Sequence, residues 1–316
     1  MRRNLKTYKP QVAQENNYIQ KHIYSNSMSV NELKLFKAIL SKVKYNDSLF
    51  DDYYVVDYSL LNVAGITKRD RYKEIEKSLT KLMNTFVTIK EKDRKRLKDP
   101  LLEKGAKGNR KLGLIKNDWT HEPRSMQIVV SIPDILKPFF LELAEKEYTI
   151  YALENLRDLH TSQEILLYEL FAKWKNRGFF HVTLENLKEY LLVKDKYKRY
   201  SDFKRRMLVA SIDTINKFTD LHVEYRELKE NGDIITRTGP GNKVYSIEFI
   251  ITDKDSFNKE EFKGKYFNNG DMKFLILDLE VDKDGLIELK LYDAKVGQIT
   301  RLLKKITREE FLSCVE

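Results

Sequence analysis

The chain is 316 residues long with 41% hydrophobic, 34% charged and 11% aromatic residues, enough apolar mass for two packed domains and too much for disorder along its length. Six Pro and twelve Gly exclude collagen-like and low-complexity classes, and no stretch of about 18 uncharged apolar residues is present to span a bilayer. Lys and Arg number 58 against 48 Asp and Glu, a net charge of +10 that favours polyanionic partners.

Residues 1–27 lack apolar periodicity and read as a polar N-terminal arm. The start, Met1-Arg2-Arg3-Asn4-Leu5-Lys6, has a basic flank but no apolar stretch of a signal peptide behind it, so a cytoplasmic protein is expected. Order is expected from Ser29: Ser29-Val30-Asn31-Glu32 fits a capping box, in which serine and glutamate satisfy each other's orphan backbone N–H groups. The helix after it carries Leu33, Phe36, Ile39, Leu40 and Val43 on one face. Asp57 is placed to cap a short helix, Tyr58 to Ala64, which Gly65 ends. Thr67 caps a third, Lys68 to about Asn84, with Tyr72, Ile75, Leu79, Leu82 and Met83 as apolar stripe and Arg69, Lys73, Lys77 and Lys81 opposite.

Strand-like runs come next at Phe86 to Ile89, Leu112 to Lys116 and Met126 to Ile132. Among them lies a basic stretch, Lys92 to Lys111, whose Lys92, Arg94, Lys95 and Arg96 read either as a wing along a phosphate backbone or as a disordered loop. Three helices and a hairpin with a basic connection is the order of a winged helix. Ile132-Pro133-Asp134 then stops the last strand and starts an apolar connector with Ile135, Leu136, Phe139, Phe140 and Leu143.

The order recurs. Thr161-Ser162-Gln163-Glu164 is a second capping box opening a helix with Ile165, Leu166, Tyr168, Leu170, Phe171 and Trp174, and Thr183 caps a short helix to about Leu192. A third helix begins at Ser201 or Asp202 and ends near Phe218, and a hairpin from Leu221 to Ile251 contains the turn Asn231-Gly232 and a Gly239-Pro240-Gly241 kink. From Asp255 the character changes: 11 basic and 13 acidic residues give −2, leaving +12 on residues 1–254. Phe274-Leu275-Ile276-Leu277 and Leu286-Ile287-Glu288-Leu289 flank Asp282-Lys283-Asp284-Gly285, a hairpin expected to precede one or two helices. The expected fold is α+β: a polar arm (1–27), two tandem pseudo-symmetric winged-helix domains (28–132 and 133–254) and a small C-terminal β-hairpin/helix accessory module (255–316).

Catalytic signatures are missing. Gly108 and Gly113 have P-loop spacing but are followed by Leu114, so a phosphate cradle is not formed. The histidines His22, His121, His160, His181 and His222 are isolated, and Cys314 is the single cysteine; neither a metal site nor a disulfide framework is expected, and no cofactor. A tyrosine nucleophile lacks an accompanying metal or Arg/His constellation. Carboxylate pairs such as Asp51-Asp52 and Glu260-Glu261 read as solvated faces.

The cationic helices remain. A regular helical wheel over Phe203 to Phe218 places Phe203, Met207, Leu208, Ala210, Ile215 and Phe218 inside and Arg205, Arg206, Val209, Asp213 and Asn216 outside. Lys196, Lys198 and Arg199 interleave with Tyr197 and Tyr200 just upstream, phosphate-binding groups beside a helix N-terminus. Such a face suits a major groove, with Arg205 and Arg206 for base readout. A merely solvated charged face stays open as the alternative, more so for the first unit, where Glu74 and Glu76 dilute Arg69, Lys73 and Lys77.

The run Tyr197-Lys198-Arg199-Tyr200-Ser201-Asp202-Phe203-Lys204-Arg205-Arg206, with Ala210, Ile212, Ile215-Asn216 and Thr219-Asp220 after it, resembles the signature of iteron-binding, Rep3-type plasmid replication initiators, the family of the F and R6K plasmid initiators. Ser131-Ile132-Pro133-Asp134-Ile135-Leu136-Lys137-Pro138-Phe139-Phe140, followed by Tyr148-Thr149-Ile150-Tyr151, resembles the junction between that family's domains. The similarity covers about residues 28 to 252. It implies two winged helices that grip repeated double-stranded origin sites, the second as main reader and the first also serving a monomer–homodimer equilibrium. Carried over by position, Lys198, Arg199, Lys204, Arg205 and Arg206 fall on the DNA-contacting helix, and Arg69, Lys73 and Lys77 on its first-unit counterpart. The reading is a non-enzymatic initiator whose partners are double-stranded origin DNA, the host replicative helicase and the host initiator, with no membrane. The competing readings are a tandem winged-helix transcriptional repressor and a tyrosine-dependent origin nickase.

Overall fold

The computed structural model describes residues 10–15, 28–44, 51–67, 71–96, 99–122, 126–140, 148–236, 243–254, 262–270, 272–281, 287–293, 296–301, 306 and 308–315. Backbone contacts divide the chain into one unit over Met1–Lys254 and another over Asp255–Glu316.

In the larger unit the first strand, β1 (Gln11–Glu15), buries Val12, Ala13 and Gln14. The helix α1 (Val30–Leu40) opens with the complete Ser29/Glu32 capping box and buries every residue from Leu33 to Leu40. Asp57 ends β2 (Tyr54–Asp57) and also caps α2 (Tyr58–Val63), its carboxylate accepting the Leu60 N–H at 3.0 Å. Gly65 comes next with φ +84°, and a Cβ there would lie 2.3 Å from the Arg157 carbonyl oxygen, so only glycine fits both the twist and the approach. On α3 (Arg71–Asn84) Ile75, Leu79 and Leu82 are buried, as the stripe requires, and Met83 is half-buried.

The strand β3 (Phe86–Ile89) pairs with β4 (Arg110–Gly113). The basic stretch between them is neither a plain wing nor a structureless loop: it holds two short helices, α4 (Glu91–Arg96) and α5 (Pro100–Glu103). Arg94, expected in a wing or a disordered loop, is 2% exposed. Its Nε donates to Asp99 Oδ2 at 2.6 Å and its Nη1 to the Gly108 carbonyl at 2.6 Å, while Arg110 Nη1 reaches Asp99 Oδ1 at 2.7 Å. A guanidinium is buried only when a carboxylate meets it, and Asp99 supplies one. The strands β5 (Thr120–Glu122) and β6 (Gln127–Val130) complete a sheet of order β2-β6-β5.

A 3₁₀ turn (Asp134–Leu136) and α6 (Lys137–Phe140) bury Ile135, Leu136, Phe139 and Phe140 as the connector predicts; Leu143 lies outside the described residues. The strand β7 (Tyr148–Ala152) pairs antiparallel with β1, from Gln11 opposite Ala152 to Glu15 opposite Tyr148. Residues 11–15 are therefore a buried strand and not arm. The physical reason is backbone satisfaction: β7 needs a ladder partner, and β1 supplies it.

The second winged helix repeats the grammar of the first. Thr161 and Glu164 form a complete capping box on α7 (Ser162–Trp174). Thr183 ends β8 (Phe179–Thr183) and caps α8 (Leu184–Tyr190) through the Asn186 N–H. The third helix runs as α9 (Tyr200–Phe203), a π-helical segment (Lys204–Val209) and α10 (Ala210–Phe218). The strands β9 (Leu221–Leu228) and β10 (Ser246–Asp253) form the long hairpin, and the sheet order is β8-β10-β9. Beyond the end of β9, Gly232 at φ +89° closes a turn in which its N–H donates to the Lys229 carbonyl and Leu228 bridges Ile234, so the chain does turn at Asn231-Gly232, though not as the tip of the β9–β10 hairpin; the Gly239-Pro240-Gly241 kink lies outside the described residues. The α+β architecture of two tandem winged helices is thus present.

The smaller unit departs from the expected hairpin and helices. It is a four-stranded antiparallel meander, β11 (Tyr266–Asn269), β12 (Met272–Val281), β13 (Ile287–Asp293) and β14 (Gln298–Arg301), with one described helix, α11 (Arg308–Cys314). Its own core joins Phe267, Phe274, Ile276, Leu279, Leu289 and Leu291 to Phe311 of the helix. The outer strands are four residues each, too short for their alternation to register as strands in sequence.

Candidate nucleic-acid interface

The face presented by the helix from Tyr200 to Phe218 is set by the residues its other side buries. Phe203, Met207, Leu208, Ser211, Ile212 and Ile215 are inside. Arg205 and Arg206 project, with 73% and 65% of their side-chain surface exposed, and Asp202 lies 3.7 and 3.8 Å from them. At such distances and exposure these ion pairs hold the arginines loosely. Two residues break the regular wheel: Ala210 and Phe218, expected inside, are exposed, and Ser211 and Ile212 take the core. The π winding from Lys204 to Val209 adds a residue to the turn and shifts the phase of the helix beyond it. Asn216 also differs, since its amide pairs with the Val223 backbone at 2.6 and 2.9 Å instead of facing out. The outward row is Arg205, Arg206, Ala210, Asp213 and Lys217, with Val209 half-buried beside it.

Lys204 stands apart from its neighbours. Its ammonium is 2.6 Å from Glu227 Oε1 on β9, and the same oxygen accepts the Tyr200 hydroxyl at 2.6 Å. Burial would lower its pKa, but the hydrogen bond and charge of Glu227 outweigh that and raise it. The lysine clamps helix to wing and is not presented to a ligand.

Upstream, Lys196, Lys198 and Arg199 are exposed. Tyr197 and Tyr200 act differently from their cationic neighbours: both pack on Phe203, at 5.9 and 6.3 Å between ring centroids. Lys188, on α8, donates to the Tyr197 carbonyl at 3.0 Å and lies 5.3 Å from the Phe203 ring. Sequence reading missed it, although its position at the end of a short helix facing an aromatic loop is a signal for such an anchor. The result is a rigid loop that delivers Lys196, Lys198 and Arg199 beside the N-terminal turn, where backbone N–H groups favour phosphate.

In the first unit Lys73, Lys77 and Lys81 are exposed on α3, and Arg69 lies outside the described residues. The acids that dilute this face are partly engaged: Glu74 accepts from Asn31 at 3.4 Å and Glu76 from His121 Nδ1 at 3.3 Å. Lys92, Lys95, Lys107 and Lys111 are exposed around the Arg94–Asp99–Arg110 clasp. Among the described residues, no group of three or more His, Cys, Asp and Glu is placed to hold a metal, and no helix is long and apolar enough to cross a membrane.

Residues 11–172 match the family model described as "Initiator Replication protein, WH1", and residues 183–251 match "Initiator Rep protein, WH2". The chain belongs to this initiator replication protein family. The first match begins at β1, in keeping with a strand there. Among solved structures, the chain is similar to the Pi initiator protein crystallised in complex with iteron DNA, with a TM-score of 0.62 and 18% identity over 78% of this chain and 99% of that one. The fold is shared at that level. Domains 2 and 3 of RctB align over 80% of this chain and 94% of that one, at a TM-score of 0.40 and 13% identity.

Proposed function

We propose that the chain is a plasmid replication initiator that binds repeated double-stranded sites, iterons, at a replication origin. The observation that carries this reading is the outward pair Arg205 and Arg206, on a helix clamped to its wing by Lys204 and Glu227. Lys196, Lys198 and Arg199 add phosphate contacts and salt-dependent affinity; Arg205 and Arg206 add discrimination in the major groove. Lys73 and Lys77, with Arg69, form the smaller contact of the first unit. Opening of adjacent DNA, contacts with the host helicase and host initiator, and a repressing homodimer belong to the same reading.

The work done at this face is recognition and not bond-making. Tyr58 is joined to His121 Nε2 at 2.5 Å, and His121 to Glu76, which is the arrangement a tyrosine nucleophile needs. Yet Tyr58 is 6% exposed, so its hydroxyl is not offered to a phosphodiester.

Footprinting on the DNA flanking the gene tests the proposal. Protection of several direct repeats at regular spacing is expected. Uniform or absent protection would overturn it, and protected repeats that support no plasmid maintenance would leave a tandem winged-helix repressor.

A further inference from the structure

The matches to the initiator family end at residue 251, and the unit beyond carries a face of its own. Its register sets Tyr266 opposite Leu275, Leu275 opposite Tyr292 and Tyr292 opposite Ile299. One residue from each of the four strands thus forms a single row across the sheet. Side chains alternate along a strand, and the neighbours Phe267, Phe274, Ile276 and Leu291 point into the core closed by Phe311. The row therefore lies on the opposite face, with Tyr266 45% and Ile299 60% exposed and Leu275 and Tyr292 half-buried.

Lysines bracket the row. Lys273, two residues along β12 on one side, is exposed and holds its ammonium 4.9 Å from the centre of the Tyr266 ring. Lys290, two residues along β13 on the other side, is exposed as well. The acids of this face gather at the Lys290 end: Asp278 lies directly opposite Lys290 and 3.4 Å from Lys263, and Glu280 and Glu288 oppose each other beyond it. The middle of the sheet is thus apolar and aromatic, with Lys273 on one flank and Lys290, set across the strands from Asp278, on the other.

We propose that this row is a stacking platform for single-stranded nucleic acid. Adjacent strands are about 4.8 Å apart, which puts Tyr266 and Tyr292 about 10 Å from each other, room for bases of an extended strand to lie on both rings. The lysines then meet the phosphates on either side. Base faces are hidden inside a duplex and open in a single strand, so the platform selects the unpaired form without reading sequence. This goes beyond the duplex-binding reading and does not rest on it: the residues, the unit and the form of ligand all differ.

The test uses the full chain, fluorescently labelled oligo-dT and oligo-rU of equal length, and a random duplex as control, read by anisotropy. Tyr266→Ala/Tyr292→Ala is expected to weaken oligo-dT binding about tenfold or more, and Tyr266→Phe/Tyr292→Phe, which keeps the ring faces, to bind nearly as wild type. Unchanged duplex binding shows the larger unit intact in both variants, and a far-ultraviolet circular dichroism spectrum and thermal unfolding profile matching wild type show the smaller unit folded. Tighter binding of oligo-rU than of oligo-dT assigns the platform to RNA, and the reverse assigns it to DNA. Wild-type protein that ignores both oligomers, or an alanine variant that binds them undiminished, overturns the proposal. So does an alanine variant that keeps oligomer binding but changes its sedimentation, which would make the row a protein–protein surface.

Discussion

The ammonium of Lys37, on α1, lies 2.6 Å from the carboxylate of Glu169, on α7, and each side chain is 2% exposed. The pair joins the first helix of one winged helix to the first helix of the other. Gln14, from β1, accepts from Lys37 at 2.7 Å and donates to Glu169 at 3.1 Å, and the Tyr151 hydroxyl bonds to Glu169 as well. Burial lowers the Lys37 pKa even against the charge of Glu169 and its hydrogen bond. Removing one partner leaves the other charge stranded. Lys37→Met or Glu169→Leu alone should cost about 3–5 kcal/mol in urea unfolding, whereas the double variant should recover most of the loss. Additive losses would show that the pair is not the coupled unit.

Lys34, one turn earlier on α1, donates to the Arg157 carbonyl at 2.8 Å. Burial brings its pKa down to about 8 from 10.5, against the raising pull of Asp158 and Glu164. Since the unfolded chain holds this proton more tightly, stability should rise as pH climbs from about 8 to 10.5, and the full penalty should be present below that window. Unfolding midpoints across the window should climb less steeply in Lys34→Met than in wild type. Identical slopes would remove Lys34 from the account.

On DNA, Arg206→Ala should cost about 1–3 kcal/mol at the cognate repeat and little on random sequence. Lys198→Ala should weaken all sequences alike and reduce the salt slope by about 1. Lys204→Ala should resemble Glu227→Gln, because both release the helix from the wing. Equal losses on cognate and random DNA for Arg206→Ala would refute base reading by that arginine.

Asp99 holds two guanidiniums, those of Arg94 and Arg110. Burial would raise its pKa, but the hydrogen bonds of Arg94 and the Leu101 N–H, with the charges of both arginines, bring it below 3.8. Asp99→Ala strands Arg94 and should open the insertion between β3 and β4, at a cost of about 3–5 kcal/mol if the loss is felt globally. Limited proteolysis reads this directly: cleavage between residues 91 and 110 should speed up in the variant. An unchanged pattern would show that the clasp does not order the segment.

Local chemistry was legible in the sequence and distant pairing was not. The boxes Ser29/Glu32 and Thr161/Glu164, and the caps Asp57 and Thr183, are decided within four residues, and each lies where its spacing places it. The β1–β7 ladder and the Lys37–Glu169 pair join segments far apart in the chain, and no window of residues contains both sides. At the interface, the exposure of Arg205 and Arg206 is decided by the apolar positions around them. The clamp on Lys204 is not, because Glu227 belongs to a strand whose register only the folded sheet defines.

The π segment from Lys204 to Val209 sets how the two halves of its helix share one core. A π turn takes up about one residue more than an α turn, so the segment absorbs a residue and the turns on either side keep the phase of a regular helix one residue shorter. Substitutions that imposed α winding without shortening the chain would turn the two halves against each other by about 100°, and Phe203 and Ile215 would no longer face the same core. The winding is thus what lets this stretch bury Phe203, Met207 and Ile215 together while Arg205 and Arg206 stay outside.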